Sequence, residues 1–145
     1  MIASMIVKRM VRSDYEKYND DDFDVDAVLT GKADDFVYEM SSEVGGGTLK
    51  GKKAIAEAMQ QWKKEFPKRK FVVKNVAFSA WPFCPNNVVM VEYSITETSK
   101  DGKEFKYDGA SVFHTKNFKV VHGTDYISFA GLPPFSTLVK PTGKV

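Results

Sequence analysis

The chain reads as an α+β protein: a strongly bent, mostly antiparallel sheet wrapped around three helices. Two observations predict this. From Asn87 to Phe129, three β-patterned runs follow one another with tight-turn signals between them, and helical periodicity is confined to the first half of the chain. Helices segregated from consecutive strands give this class. At 145 residues with a net charge of +2, the chain is expected to be one domain over residues 1–130, large enough for its own core. An extended tail over 131–145 is expected to follow.

In order, Val7, Met10, Val11, Tyr15 and Tyr18 recur at helical spacing over residues 3–18, which predicts an amphipathic helix. The acidic break Asn19–Asp22 precedes a second, short helix over 23–30, with an aspartate placed to cap it. The cluster Asp20, Asp21, Asp22, Asp24 and Asp26 lacks the glycine and distal glutamate of a calcium loop, and reads as a solvated cap. Residues 35–41 alternate as a strand, with Phe36, Tyr38 and Met40 on one face. Gly45-Gly46-Gly47 reads as a turn, without the Lys-Ser/Thr of a phosphate loop. Thr48 and Leu49 extend a short strand towards Gly51.

Residues 52–66 give the clearest helix. Ile55, Met59, Trp62 and Phe66 form one stripe with Ala58 beside them, and Pro67 stops it. The meander's aliphatic face is its expected partner. Residues 69–81 form a further strand of imperfect alternation, and the proline-broken loop 81–87 leads into the meander. Pro133, Pro134, Pro141 and two glycines then forbid regular structure, although Phe135, Leu138 and Val139 could dock the tail.

The meander decides the candidate site. Asp101-Gly102 is a strong hairpin signal, and Lys116-Asn117 is a plausible second turn because Asn tolerates the left-handed region. Two-residue turns at both places pair Lys100 with Lys103 and Thr115 with Phe118. One face then carries Val89, Val91, Tyr93 and Ile95, beside His114, Val112, Ala110 and Asp108, beside Lys119, Val121, Gly123, Asp125 and Ile127. It is the more aliphatic face and is expected to turn inward.

In that register Asp108 and Asp125 are direct cross-strand neighbours. Like charges so placed repel and burial adds to the cost. Either the pair lies at a solvent end of the face, or one acid keeps its proton in a cavity, as acid–base catalysis would use. A bulge at Gly109 or Gly123 would dissolve the pair. The catalytic candidates are therefore Asp125 as base and Asp108 as protonated acid, with Tyr93, Tyr15, Trp62, Tyr38, Met40 and His114 lining the ligand space.

Several classes are set aside. The charge is too small to argue for nucleic acid or an anionic membrane surface. The run Lys63, Lys64, Lys68, Arg69 and Lys70, interrupted by Glu65, reads as a solvated helix end. A single cysteine, Cys84, excludes an internal disulfide and fits a reducing compartment. No apolar run approaches the ~20 residues of a membrane span, and the N-terminus lacks a signal-peptide pattern. A cytoplasmic protein is expected, with no metal and no cofactor implied. His114 and His122 point to opposite faces in this register, which argues against zinc.

Three stretches carry a resemblance. YEKYNDDDFDVDAVLTGKADDFVYEM, LKGKKAIAEAMQQW and GASVFHTKNFKVVHGTDYIS resemble the opening helices and first strand, the third helix and the final hairpin of the nuclear-transport-factor-2-like superfamily, within its SnoaL-like branch. The resemblance covers about residues 5–130. It implies a cone-shaped α+β barrel with one internal cavity, usually a homodimer packed through the outer face of the sheet. Members include polyketide cyclases, ketosteroid isomerase, epoxide hydrolases, dehydratases and non-catalytic binding or scaffold proteins, so fold decides little about activity. Met40 stands where the isomerase base would be, Gly109 or Ala110 where its buried acid would be, and Ser128 where an aspartate often closes the last strand. These departures argue against steroid isomerase chemistry and against a copy of the cyclase site.

The functional expectation is an acid–base isomerase, cyclase or dehydratase acting on a small hydrophobic molecule. The alternatives are a cavity that binds without chemistry, and a dimeric scaffold. The scaffold would pair through an outer face of Glu92, Ser94, Thr96, Ser111, His122, Thr124 and Tyr126.

Overall fold

In a computed structural model, which describes residues 1–40 and 47–128, the helices lie where the periodicity puts them. The Gly45-Gly46 turn and the tail lie outside the described residues. Helix α1 (Ile2–Glu16) ends in a 3-10 turn at Lys17–Asn19. The short α2 (Val25–Leu29) is capped by Asp24, whose carboxylate accepts from the backbone N–H of Asp26 and Ala27, a contact that stabilises a helix start by about 1 kcal/mol. Helix α3 (Lys52–Glu65) begins after Gly51 at φ +84°. Among the described residues no helix is long and apolar enough to cross a membrane.

The strands are β1 (Lys32–Met40), β2 (Gly47–Lys50), β3 (Lys68–Phe78), β4 (Asn87–Thr98), β5 (Glu104–Lys116) and β6 (Lys119–Ser128). They form one open mixed sheet in the order β2-β1-β6-β5-β4-β3. All neighbours are antiparallel except β1 and β6. That one parallel contact brings the first strand beside the last.

The N-terminal helices pack on one face of this sheet. Under α3, Phe23, Val25, Leu29, Phe36, Leu49 and Ile55 form one buried cluster. Under α1, Tyr15, Val76, Val91, Tyr93 and Ile95 form a second. Each such side chain contributes roughly 1.5–3 kcal/mol by leaving water. The stripe of α3 lies mainly on β1 and β2, not on the meander; Trp62 is the member that reaches across, packing against Phe71.

Arg69 departs from the expected solvated basic run. It is 4% exposed and donates to the backbone carbonyls of Tyr18, Phe66, Asp20 and Asp21. Its guanidinium also lies over the rings of Phe23 and Trp62. The planar fork suits this simultaneous capping of several carbonyls and stacking.

The expected register of the meander is corrected at both turns. Thr98 pairs with Glu104, and the N–H of Ser99 donates to the carbonyl of Lys103. Lys100-Asp101-Gly102 is thus a three-residue turn ending on Gly102 at φ +87°, the hairpin whose last loop residue is left-handed. One extra loop residue flips every side chain of β5 relative to β4. Phe105, Tyr107, Gly109, Ser111 and Phe113 point inward, while Asp108, Ala110, Val112 and His114 point outward.

At the second turn Lys116 pairs with Lys119 around Asn117 and Phe118, both at positive φ, and a bulge at Val121 shifts the register again. The two slips cancel for β6, so Gly123, Asp125 and Ile127 face inward as expected. A bulge at Lys74 accounts for the imperfect alternation of β3.

Candidate functional site

Between the helices and the concave face of the sheet lies a cavity of about 310 Å³, at the small end of the usual ligand-pocket range of roughly 300–1,000 Å³. Its walls are mostly apolar, from Leu29, Phe36, Met40, Met59, Phe71 and Ile127 among others. Three carboxylates also line it: Asp125 and Glu97, and the largely exposed Asp14.

Asp125 sits at the centre of a chain of hydroxyls. The first strand supplies Tyr38, whose phenol donates to Asp125 Oδ2 at 2.5 Å. On β5, Ser111 is the Cα partner of Asp125 and its hydroxyl donates to Oδ1. The phenol of Tyr15, from the end of α1, donates to Ser111 Oγ at 2.6 Å. Three elements distant in sequence thus converge on one acid. Burial pushes the Asp125 carboxyl above its ordinary value of 3.8, against the pull of the Ser111 and Tyr38 hydrogen bonds. The residue is half-buried and lines the cavity.

The tyrosines shift in the same direction. Desolvation, then the Asp125 charge, raises the phenols of Tyr15, Tyr38 and Tyr93 well above their ordinary value. They stay protonated and act as hydrogen-bond donors. Burial raises two carboxyls of the cavity as well, Asp125 and Glu97.

Glu97 is the second of these. It is 2% exposed and accepts from Trp62 Nε1 at 2.7 Å. Burial raises its carboxyl, while hydrogen bonds from Trp62 and Tyr107 and the positive charge of Arg69 pull it back. The sequence reading did not single out Glu97. The signal was present: it continues the inward stripe Val89, Val91, Tyr93, Ile95 by one more step of two.

The expected site residues divide between the two faces. Asp125, Tyr93, Tyr15, Trp62, Tyr38 and Met40 all line the cavity. Asp108 does not. It is exposed on the outer face, bonded to Lys74 Nζ at 2.8 Å and to Ser94 Oγ at 2.6 Å, and these partners hold its carboxyl below the ordinary value. The expected Asp108–Asp125 pair is absent because β5 is in the other phase. His114 is likewise outside, and so not part of the cavity lining. It is the Cα partner of His122, with ring centroids 5.6 Å apart, so the two histidines share a face. Ser111, expected outside, is inside and holds the site together.

The geometry is that of an apolar pocket with one oriented acid, and the comparisons with known proteins place it in a family. The SnoaL-like domain model matches residues 11–123. No curated protein matches the chain. Among solved structures, a proposed aromatic ring hydroxylase from Novosphingobium aromaticivorans is 16% identical, with a TM-score of 0.73 and 94% of each chain covered. An NTF2-like protein of unknown function from Burkholderia pseudomallei is 17% identical, with a TM-score of 0.69, covering 84% of this chain and 90% of its own. A proposed SnoaL-like polyketide cyclase from Jannaschia sp. CCS1 is 15% identical, with a TM-score of 0.67 and 84% of each chain covered. At these identities the likeness is one of fold. The family match spans most of the chain, including the elements that supply Tyr15, Tyr38 and Ser111, and the chain belongs to the SnoaL-like domain family on the NTF2-like fold.

Proposed function

We propose that the cavity takes a small, largely apolar molecule and that Asp125 moves a proton on it, in an isomerisation, cyclisation or dehydration. The observation that carries this reading is the Asp125 carboxyl itself. It faces an apolar cavity, is raised by burial, and is fixed by Tyr38 and Ser111. An acid–base group works best when its pKa approaches the operating pH and its geometry is preset. The names of two similar folds, a proposed polyketide cyclase and a proposed aromatic ring hydroxylase, are compatible with a cyclic, mostly apolar substrate.

Proton abstraction next to a carbonyl is the simplest form of this chemistry. It is tested by following hydrogen–deuterium exchange of β-tetralone in heavy water by NMR. Exchange faster than buffer alone, falling to the background rate in Asp125→Asn, is the expected result. An unchanged rate in that variant would remove Asp125 from the chemistry.

A second reading has an observation of its own. Each oxygen of Asp125 already accepts a hydrogen bond from a side chain, as in a purely structural buried acid. Binding of the ketone without any exchange supports a cavity that holds its ligand unchanged.

A further inference from the structure

We propose that Lys32 is the anion-binding end of the cavity, so that the ligand is a small apolar molecule carrying one acidic group such as a carboxylate. This rests on the reading of the cavity given above and adds a ligand class to it.

Lys32 opens β1, with Val120 of β6 as its Cα partner, and both residues line the cavity. It lies at the opposite end of the strand from Tyr38 and Met40, which reach Asp125 and its neighbourhood. A ligand held at Lys32 therefore extends along β1 towards the acid.

Lys32 is half-buried, and its ammonium has no hydrogen bond or ion pair among the described residues. Its neighbours do not supply one. Phe113 presents its ring with the centroid 5.5 Å from Nζ, a contact that attracts a cation but offers no acceptor to its three N–H donors. Asp14, the acid at this end of the cavity, is engaged by Lys17 at 2.8 Å and is largely exposed. Burial lowers the Lys32 pKa, with Asp14 opposing and Lys17 adding to that shift. A partly desolvated cation on an apolar wall attracts an anion more strongly than a surface lysine does. An incoming carboxylate supplies both the countercharge and the missing acceptors.

The rival account is a solvated lysine whose methylene stem merely covers Phe113. Two isosteric probes separate the accounts: β-naphthoate, which is anionic, and β-naphthamide, which is neutral. Both are titrated by calorimetry into wild type, Lys32→Met and Lys32→Arg near neutral pH, with thermal unfolding run on each variant to show that it is folded. The expected result is that wild type binds naphthoate about tenfold more tightly than naphthamide, a preference worth ~1.4 kcal/mol. Lys32→Met loses that preference by weakening naphthoate alone, and Lys32→Arg keeps it. Equal affinity of the two probes for wild type, or a preference that survives in Lys32→Met, overturns the anion site while leaving the apolar cavity standing. If neither probe binds wild type, the cavity reading fails for this ligand size and the proposal falls with it. The naphthamide titration tells these failures apart.

Discussion

The ring of Tyr93 lies over the backbone of Gly109, its cross-strand partner on β5. A Cβ built on that glycine would sit 2.7 Å from the phenol oxygen and its ring carbon. Tyr93 is 3% exposed and packed among Tyr15 and Phe71, so it has little room to yield. Gly109→Ala is therefore expected to destabilise the protein by roughly 1–3 kcal/mol, the usual cost of overpacking a filled site. Urea unfolding measures it. A midpoint equal to wild type would mean that the ring moves freely, and that this wall of the cavity is soft.

Ser111 is the hinge of the hydroxyl chain. Replacing it with alanine leaves Asp125 Oδ1 without its donor and Tyr15 without its acceptor. Each orphaned buried group costs about 1–3 kcal/mol. The Ser111 bond lowers the Asp125 pKa, so its loss sends that pKa higher still. In Ser111→Ala the acid limb of any Asp125-dependent rate is expected to move to higher pH. A pH–rate profile of the tetralone exchange reads this directly, and an unmoved limb would separate Ser111 from the titration of Asp125.

Asp108 supplies the contrasting case. It points away from the cavity and pairs with Lys74 and Ser94 on the outer face. Asp108→Asn is expected to leave exchange rates and naphthoate affinity at wild-type values, since exposed pairs contribute little. The same NMR and calorimetric measurements check it. A loss of activity would show that the outer face takes part in the chemistry.

The elements were legible in the sequence because periodicity and punctuation act locally. Pro67 ends α3, Asp24 caps α2, and the even spacing of Val89 to Ile95 picks the inward face of β4. The site was only half legible because inter-strand phase depends on how many residues each turn uses. One residue added at Lys100 moved Asp108 and His114 out and Ser111 in, and a compensating slip through Asn117-Phe118 and Val121 kept Asp125 inside. No local pattern reports such a shift, since Asp-Gly serves two-residue and three-residue hairpins alike. Glu97 was overlooked because an acid in a buried stripe is rare on composition alone.

Arg69 joins β3 to two separate stretches of backbone, residues 18–21 and the end of α3, through the carbonyls of Tyr18, Asp20, Asp21 and Phe66. It also offsets the buried charge of Glu97. Truncation to Arg69→Ala is expected to cost about 3–5 kcal/mol, the range for removing one partner from a buried charged arrangement. Arg69→Lys should recover only part of this, because an ammonium cannot reproduce the planar fork. Denaturant midpoints of the two variants test it; a lysine variant as stable as wild type would reduce Arg69 to a simple point charge.

Stability should fall as pH rises through the window set by the two cavity acids that burial raises. In the folded protein Asp125 and Glu97 are raised above their ordinary values of 3.8 and 4.5, so between those values and the raised ones the folded chain binds more protons than the unfolded chain. By linkage the unfolding free energy then decreases with increasing pH across that interval, and levels off above it. Carboxylates lowered by lysine or hydroxyl partners, such as Asp22 and Asp108, work in the opposite direction at lower pH. The two contributions separate in a difference experiment. Asp125→Asn and Glu97→Gln carry no charge to desolvate, so the stability of each variant relative to wild type should increase as pH climbs from about 4 towards neutrality. Any constant offset from altered hydrogen bonding cancels in that slope. Urea unfolding of the three proteins at several pH values gives it, and a flat difference would mean that neither acid is held above its ordinary pKa by the fold.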